Sequence, residues 1–210
     1  LDLTVIAMRG YDPNRGPGYG WPSKELSWVN PSPNAATPAM PKIYPGSVLI
    51  EGTTLSEGRG TTHPLETVGA PDISIRLVLG KMDQIATEWV KGCTLRTCFF
   101  EPTFHKHAGR LCEGFQIHVD HPSYVHNQFK PYRLFALFLK AIRVVYPNYQ
   151  IWREFEYEYV KDTPAIDVIS GSDFLRKWID NISSTPSALE EYLRKDEDAW
   201  IEERKQFLIY

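Results

Sequence analysis

Two carboxylates, Glu51 and Glu57, fall in one short stretch with Gly52, Gly58, Arg59 and Gly60. Glycoside hydrolysis needs one carboxyl group to protonate the leaving oxygen. It usually needs a second as base or nucleophile. Glycines let a backbone approach a ligand closely and expose its N–H groups. Arg59 adds a planar fork that can grip a carboxylate or phosphate at two points. The same residues also suit a solvated turn in which Arg59 simply pairs with a glutamate.

A second group holds His105, Lys106, His107, Gln116, His118, Asp120 and His121. In an extended segment His105 and His107 would share a face. With His118 and Asp120 they have the residue types of a metal site. Their spacing matches no closed ligand pattern, so no metal is expected. Lys106 and the imidazoles then line a polar cleft. Gln116, His118 and Asp120 make a polar wall for a sugar pocket. A third element, Pro31-Ser32-Pro33-Asn34, reads as a rigid turn whose Asn34 could bond a sugar hydroxyl or acetamide.

No cofactor is called for. The chain has no GxxxxGK[ST] loop, Gly58-Arg59-Gly60 makes no dinucleotide fingerprint, and GxSxG is missing. The cysteines are Cys93, Cys98 and Cys112, without CxxC spacing, and read as buried free thiols.

The elements that must position these groups follow from hydrophobic period. Leu3 to Met8 and Ser47 to Ile50 are short apolar runs, consistent with strands buried on both faces of a parallel sheet. Glu51 would then stand at the carboxyl end of a strand, the edge where open α/β sheets bind ligands. Between these runs, Gly10 to Met40 is a long Gly- and Pro-rich loop carrying Trp21 and Trp28. Gly69 to Asp72 reads as a turn before a helix with Val78, Met82, Ile85 and Trp89 on its apolar face. Cys93 to Phe100 reads as a strand. Phe115, Ile117 and Val119 alternate with Gln116, His118 and Asp120, a strand with one apolar and one polar face. Pro131 opens a helix, Ile151 to Tyr159 returns to strand, and two helices follow, after Ser172 and near Thr185. The pattern predicts an α/β part over residues 1–70 and a mixed α+β part over 71–210, divided near Pro71.

Composition narrows the function classes. Hydrophobic residues make up 42% and charged residues 23%, a globular balance. The 13% aromatic content suits stacking on the apolar faces of pyranoses. A net charge of −3 leaves no basic footprint for nucleic acid. No apolar run approaches the roughly 20 residues of a membrane helix. The chain begins Leu1-Asp2-Leu3, already inside an apolar run, and reads as a truncated start.

Several strings occur in one order along the chain: PSPN at 31–34, YPGSVLIEGTTLSEGRGTTHPLE at 44–66, GAP at 69–71, FEPTFHKHAG at 100–109, C-x-G-x-QIHV at 112–119 and FLIY at 207–210. Together they resemble the NamZ family of exo-acting β-N-acetylmuramidases. The resemblance implies a Rossmann-like domain first and an auxiliary domain second, with the active site between them. This chain would supply the end of the first, residues 1–70, and the whole of the second, 71–210.

The implied activity is release of N-acetylmuramic acid from the non-reducing ends of peptidoglycan fragments, in a periplasmic or secreted protein. Glu51 and Glu57 are then the catalytic candidates. Asn34, Arg59, His105, Lys106, Gln116, His118 and Asp120 are the candidates for binding muramyl saccharides. The lactyl carboxylate of N-acetylmuramic acid calls for a cation, and Arg59 or Lys106 has the charge. Two competing readings are a non-catalytic wall-sugar-binding fragment and a metal-dependent hydrolase using the histidines. A further expectation is that strands in residues 1–70 lack sheet neighbours and leave the isolated chain prone to aggregate.

Overall fold

The computed structural model describes residues 2–9 and 26–209. Trp21 and most of the Gly- and Pro-rich loop lie outside the described residues, as do Leu1 and Tyr210. The core is a three-stranded antiparallel sheet of β1 (Thr67–Ala70), β2 (Thr94–Phe100) and β3 (Cys112–His118), in the order β1-β3-β2. Phe115 stands between Val68 and Thr97, and Gln116 between Thr67 and Arg96. The period-two alternation read at 115–118 therefore holds. Phe115 and Ile117 enter the core, and Gln116 and His118 take the other face. Gly114 is required where β1 and β3 meet, because a Cβ there would lie 2.1 Å from Val68 O.

The apolar face of the sheet is closed by helices. These are α1 (Met40–Ser47), α2 (Ile75–Ala86), α3 (Pro131–Val145), α4 (Ala165–Ser170), α5 (Phe174–Asp180) and α6 (Pro186–Arg204). Pro131 sits in the first turn of α3, where its missing N–H costs no helical bond. Leu134, Phe135, Leu137, Phe138, Leu139 and Ile142 are all buried, so α3 is apolar around most of its girth and runs through the centre. Phe138 meets Phe115 edge-to-face at 5.0 Å. The lysine of this helix, Lys140, is buried and donates to Trp178 O, Asn181 O and Ser184 Oγ, which ties α3 to the segment between α5 and α6. The three cysteines are free thiols, and burial pushes Cys93 up to about 12 and Cys112 up to about 11, which leaves them protonated.

Three expected strands are corrected. Ser47 to Ile50 is helical: α1 ends at Ser47, and Val48–Gly52 continues as a 3-10 helix. Ile43, Gly46, Ser47 and Ile50 are buried at the spacing of one helical face, and a short apolar run does not distinguish that from a strand. Pro41 and Pro45 masked the helix in the sequence, although the first lies in its opening turn. Leu3 to Met8 forms no strand, and Leu3, Val5, Ile6 and Met8 are exposed. A strand exists only by pairing, and no described segment pairs with it. Ile151 to Tyr159 makes only single bridges, Thr53 with Trp152 and Tyr157 with Val160. Left-handed backbone at Glu158 and Tyr159 breaks the extension there.

Among the described residues the sheet is antiparallel throughout, so the architecture is mixed α/β without the parallel arrangement expected for 1–70. β1 and α4 were not anticipated. β1 lies immediately before Pro71, and its Val68 and Ala70 share one hydrophobic cluster with Val78, Phe115 and Phe138. Ile43, Leu49 and Ile50 belong to the same cluster.

Candidate functional site

Two loops lock together at the end of the 3-10 helix. In the first, Gly58 and Gly60 have φ of 73° and 79°, the left-handed region that glycine enters without strain. A Cβ on Gly60 would lie 2.6 Å from Thr103 Oγ1, so the second loop packs directly on its backbone. Thr103 donates to Gly60 O from both its N–H and its hydroxyl, at 3.3 and 3.0 Å. His105 and His107 then also adopt left-handed φ, 69° and 59°. The segment is therefore a tight turn, not the extended stretch in which the two imidazoles would share a face. His107 donates from Nε2 to Thr54 O at 2.8 Å. Lys106, between them, turns inward.

Glu57 is the centre of this arrangement, with a side chain only 1% exposed. Lys106 Nζ pairs with its Oε2 at 2.7 Å, Arg59 Nε donates to its Oε1 at 2.8 Å, and His105 Nδ1 lies 3.3 Å from Oε1. Burial alone would raise the Glu57 carboxyl. The Lys106 charge and hydrogen bond, with the Arg59 charge, outweigh it and hold Glu57 below the usual range. Burial lowers Lys106, with Glu57 opposing it. His105 is lowered by burial first, with Glu57 opposing and Lys106, Arg153 and Arg59 adding, so it favours the neutral ring.

Arg59 joins this buried anion to Glu51. Its Nη2 donates to Glu51 Oε1 at 2.7 Å. Burial would lower the guanidinium, but the charges of Glu51 and Glu57 raise it. Tyr157 donates its hydroxyl to Glu51 Oε2 at 3.2 Å, and burial, then Glu51, pushes the phenol up to about 12. Glu51 is 16% exposed, so of the two carboxylates it is the one with access to solvent. The sequence offered no signal for Tyr157, which lies 106 residues away along the chain.

Lys106 also donates to Ile50 O at 2.7 Å and Thr53 O at 3.0 Å. With the Glu57 ion pair, three oxygens of the chain surround the ammonium. Lys106 thus ties Glu57 to the end of the 3-10 helix.

Gln116, His118 and Asp120 are not in this cluster. They line a cleft of about 460 Å³ with Thr37, Lys42, His63 and Glu66, none of which the sequence singled out. The signal for Glu66 was there, three residues after His63 and directly before β1. Asn34 joins neither group. It sits in the Ser32–Ala35 turn, and its N–H donates to Ser32 Oγ. Among the described residues no three His, Cys, Asp or Glu side chains are grouped to hold a metal ion. No helix among them is long and apolar enough to cross a membrane.

The depressed Glu57 carboxyl makes stability depend on pH. Its folded value lies below the unfolded value of about 4.3. The stabilisation is therefore fully present above that value and lost as pH falls through the folded one. Glu190, also lowered by Arg133, adds to the same acid limb. Urea midpoints measured from pH 7 to pH 3 are expected to fall below about pH 4 in the parent. The fall should be shallower in Glu57→Gln. Parallel curves would show that Glu57 does not supply this linkage.

Comparison with known proteins follows the same elements. A family model described as the C-terminal region of the exo-β-N-acetylmuramidase NamZ matches residues 42–210. The peptidoglycan β-N-acetylmuramidase NamZ of Bacillus subtilis (strain 168) is 32% identical over 209 residues, covering 100% of this chain and 46% of that protein. Two solved DUF1343-family proteins of Bacteroides fragilis NCTC 9343 share the fold. The first has a TM-score of 0.71 at 18% identity, over 90% of this chain and 46% of its own. The second has a TM-score of 0.57 at 19% identity, over 87% and 44%. The chain thus spans about half the length of the relatives it matches.

Proposed function

The chain belongs to the NamZ family, whose C-terminal region it matches, and from that premise we propose that the full-length protein is a glycoside hydrolase that releases N-acetylmuramic acid from the non-reducing ends of peptidoglycan fragments. It would act on wall fragments outside the cytoplasm, in the periplasm or secreted. Residues 1–70 would complete a Rossmann-like domain, and the reaction would take place where that domain faces the Glu51 cluster.

One observation carries the reading: Arg59 bridges two carboxylates in different environments. Such a difference is how an enzyme gives two acids separate tasks. Glu57 is sealed in and kept ionised, so it cannot donate a proton at neutral pH. Glu51 is reachable, oriented by Arg59 and Tyr157, and is the carboxyl group we assign the acid–base role at the glycosidic bond. Arg59 is then a positioning residue. Its Nε and Nη2 are held by the two glutamates, not offered to the lactyl carboxylate.

This has a measurable consequence. Lysine keeps the charge of Arg59 but cannot span both carboxylates. Arg59→Lys in the full-length protein is expected to lower kcat on a chromogenic N-acetylmuramide and on any weakly cleaved N-acetylglucosaminide alike, by about tenfold or more. A loss confined to the muramide would instead make Arg59 the group that selects the lactyl carboxylate. The same assay run with and without chelator separates this hydrolase from a metal-dependent one. No turnover on the muramide at all would leave a non-catalytic sugar-binding role.

A further inference from the structure

Arg59 and Lys106 are both paired with glutamates of the chain. A third cation, Arg153, stands at the same cluster. Its backbone N–H donates to Gly52 O at 3.1 Å, directly after Glu51. Its guanidinium lies over the Phe155 ring, 4.0 Å from the ring centre. Nη1 approaches His105 Nε2 at 3.4 Å, a long contact that engages the group only lightly. Among the described residues its side chain has no other hydrogen-bond or ion-pair partner, and neither contact is to a carboxylate. A guanidinium carries five N–H donors around its edge. The ring covers a face and not that edge, so most of the fork stays open.

Alternate residues Arg153, Phe155 and Tyr157 form a row that is tied to the carboxylates at both ends. Phe155 meets Tyr157 edge-on with ring centres 5.8 Å apart, and the Tyr157 hydroxyl donates to Glu51 Oε2. At the other end His105 turns Nδ1 toward Glu57 Oε1 and Nε2 toward Arg153. Arg59 joins the two glutamates, so the contacts close into a ring that holds Arg153 and Glu51 in one frame. The turn from Tyr157 to Val160 fixes the end of the row. Val160 N–H donates to Tyr157 O at 2.9 Å, and Glu158 and Tyr159 between them are left-handed. Residues other than glycine keep that backbone only where their surroundings hold it.

The charges of the ring call for an anion. Glu51 and Glu57 are offset by Arg59 and Lys106, which leaves the charge of Arg153 unmatched. Glu158 is exposed on the turn and forms no ion pair with these groups, so solvent screens it. We propose that Arg153 is a specificity residue whose open edge grips the lactyl carboxylate of N-acetylmuramic acid at two points. This deepens the proposed function and rests on it. A sugar held by that carboxylate lies against the frame that carries Glu51, whereas N-acetylglucosamine, without the lactyl group, leaves the guanidinium unpaired.

The experiment uses the full-length protein with Arg153→Gln and, as the variant that keeps the charge without the fork, Arg153→Lys. N-acetylmuramic acid and its methyl ester, which has no charge, are titrated calorimetrically at pH 7. The parent is expected to bind the acid more tightly than the ester. Arg153→Gln should weaken the acid about ten- to hundredfold, the usual worth of a charged hydrogen bond, and leave the ester at parent affinity. Arg153→Lys should fall between. On a nitrophenyl N-acetylmuramide, KM should rise in the same order while kcat holds, the signature of lost binding alone. Equal weakening of acid and ester overturns the assignment, since Arg153 would then act through the packing of Phe155 and His105. A fall in kcat at constant KM overturns it too, and makes Arg153 a positioning residue. A parent that hydrolyses the muramide, with Arg153→Gln keeping the preference for the acid, removes this contact and leaves the hydrolase standing. A parent that hydrolyses nothing, yet binds the acid through Arg153, removes the hydrolase and leaves the carboxylate site standing.

Discussion

Glu57→Leu is expected to destabilise the protein by about 3–5 kcal/mol, the cost of breaking a buried pair and leaving its partner charged. Glu57 is 1% exposed and Lys106 8%, so solvent cannot take over the ammonium. The two backbone carbonyls that also hold Lys106, Ile50 O and Thr53 O, carry no full charge to replace the carboxylate. At this chain length that cost is a fall in Tm of roughly 6–20 °C. The double variant Glu57→Leu, Lys106→Met should recover most of the loss, because a well-packed apolar pair can match a buried ionic one. Thermal melts of the two single variants and the double form a cycle that isolates the pair. If Glu57→Leu melts with the parent, Glu57 is not the anchor of the two loops.

Glu51→Gln is expected to have the opposite signature, with little change in Tm and a fall in turnover of about 10²–10⁴-fold on a chromogenic N-acetylmuramide, the usual cost of removing an acid–base group. Glutamine retains an oxygen for Arg59 Nη2 or for the Tyr157 hydroxyl, so the local geometry survives while the transferable proton does not. Glu57→Gln should lower turnover less, since Glu57 acts through Arg59 and not on the glycosidic oxygen. Parent-like turnover in Glu51→Gln would move the proton donor to another carboxylate.

How legible these parts were in the sequence depended on the range of the interactions. The helices at Ile75–Ala86 and Pro131–Val145 and the alternation at 115–118 are local patterns, and each was readable from period alone. The run Ser47 to Ile50 was apolar but too short to choose between strand and helix, and burial by α3 decided it. Glu51, Glu57 and Arg59 were found because they share one glycine-rich loop. Tyr157 was not, because it reaches Glu51 only through tertiary packing, and Lys106 was singled out without its pairing to Glu57 for the same reason. The turn at His105 and His107 was not legible for a related reason. Contact with Gly60 and Glu57 holds that turn in left-handed backbone, which histidine adopts reluctantly on its own. Glu66 was passed over because its position opposite β3 comes from the pairing of β1, a four-residue strand too short to announce itself.

The proposed activity is tested most directly by incubating the full-length protein with the disaccharide of N-acetylmuramic acid linked to N-acetylglucosamine and identifying the products by mass spectrometry. Free N-acetylmuramic acid and free N-acetylglucosamine in equal amounts, formed by the parent with chelator present and nearly absent with Glu51→Gln, is the expected result. Intact disaccharide after incubation with a folded parent protein, or cleavage that Glu51→Gln leaves undiminished, would contradict it.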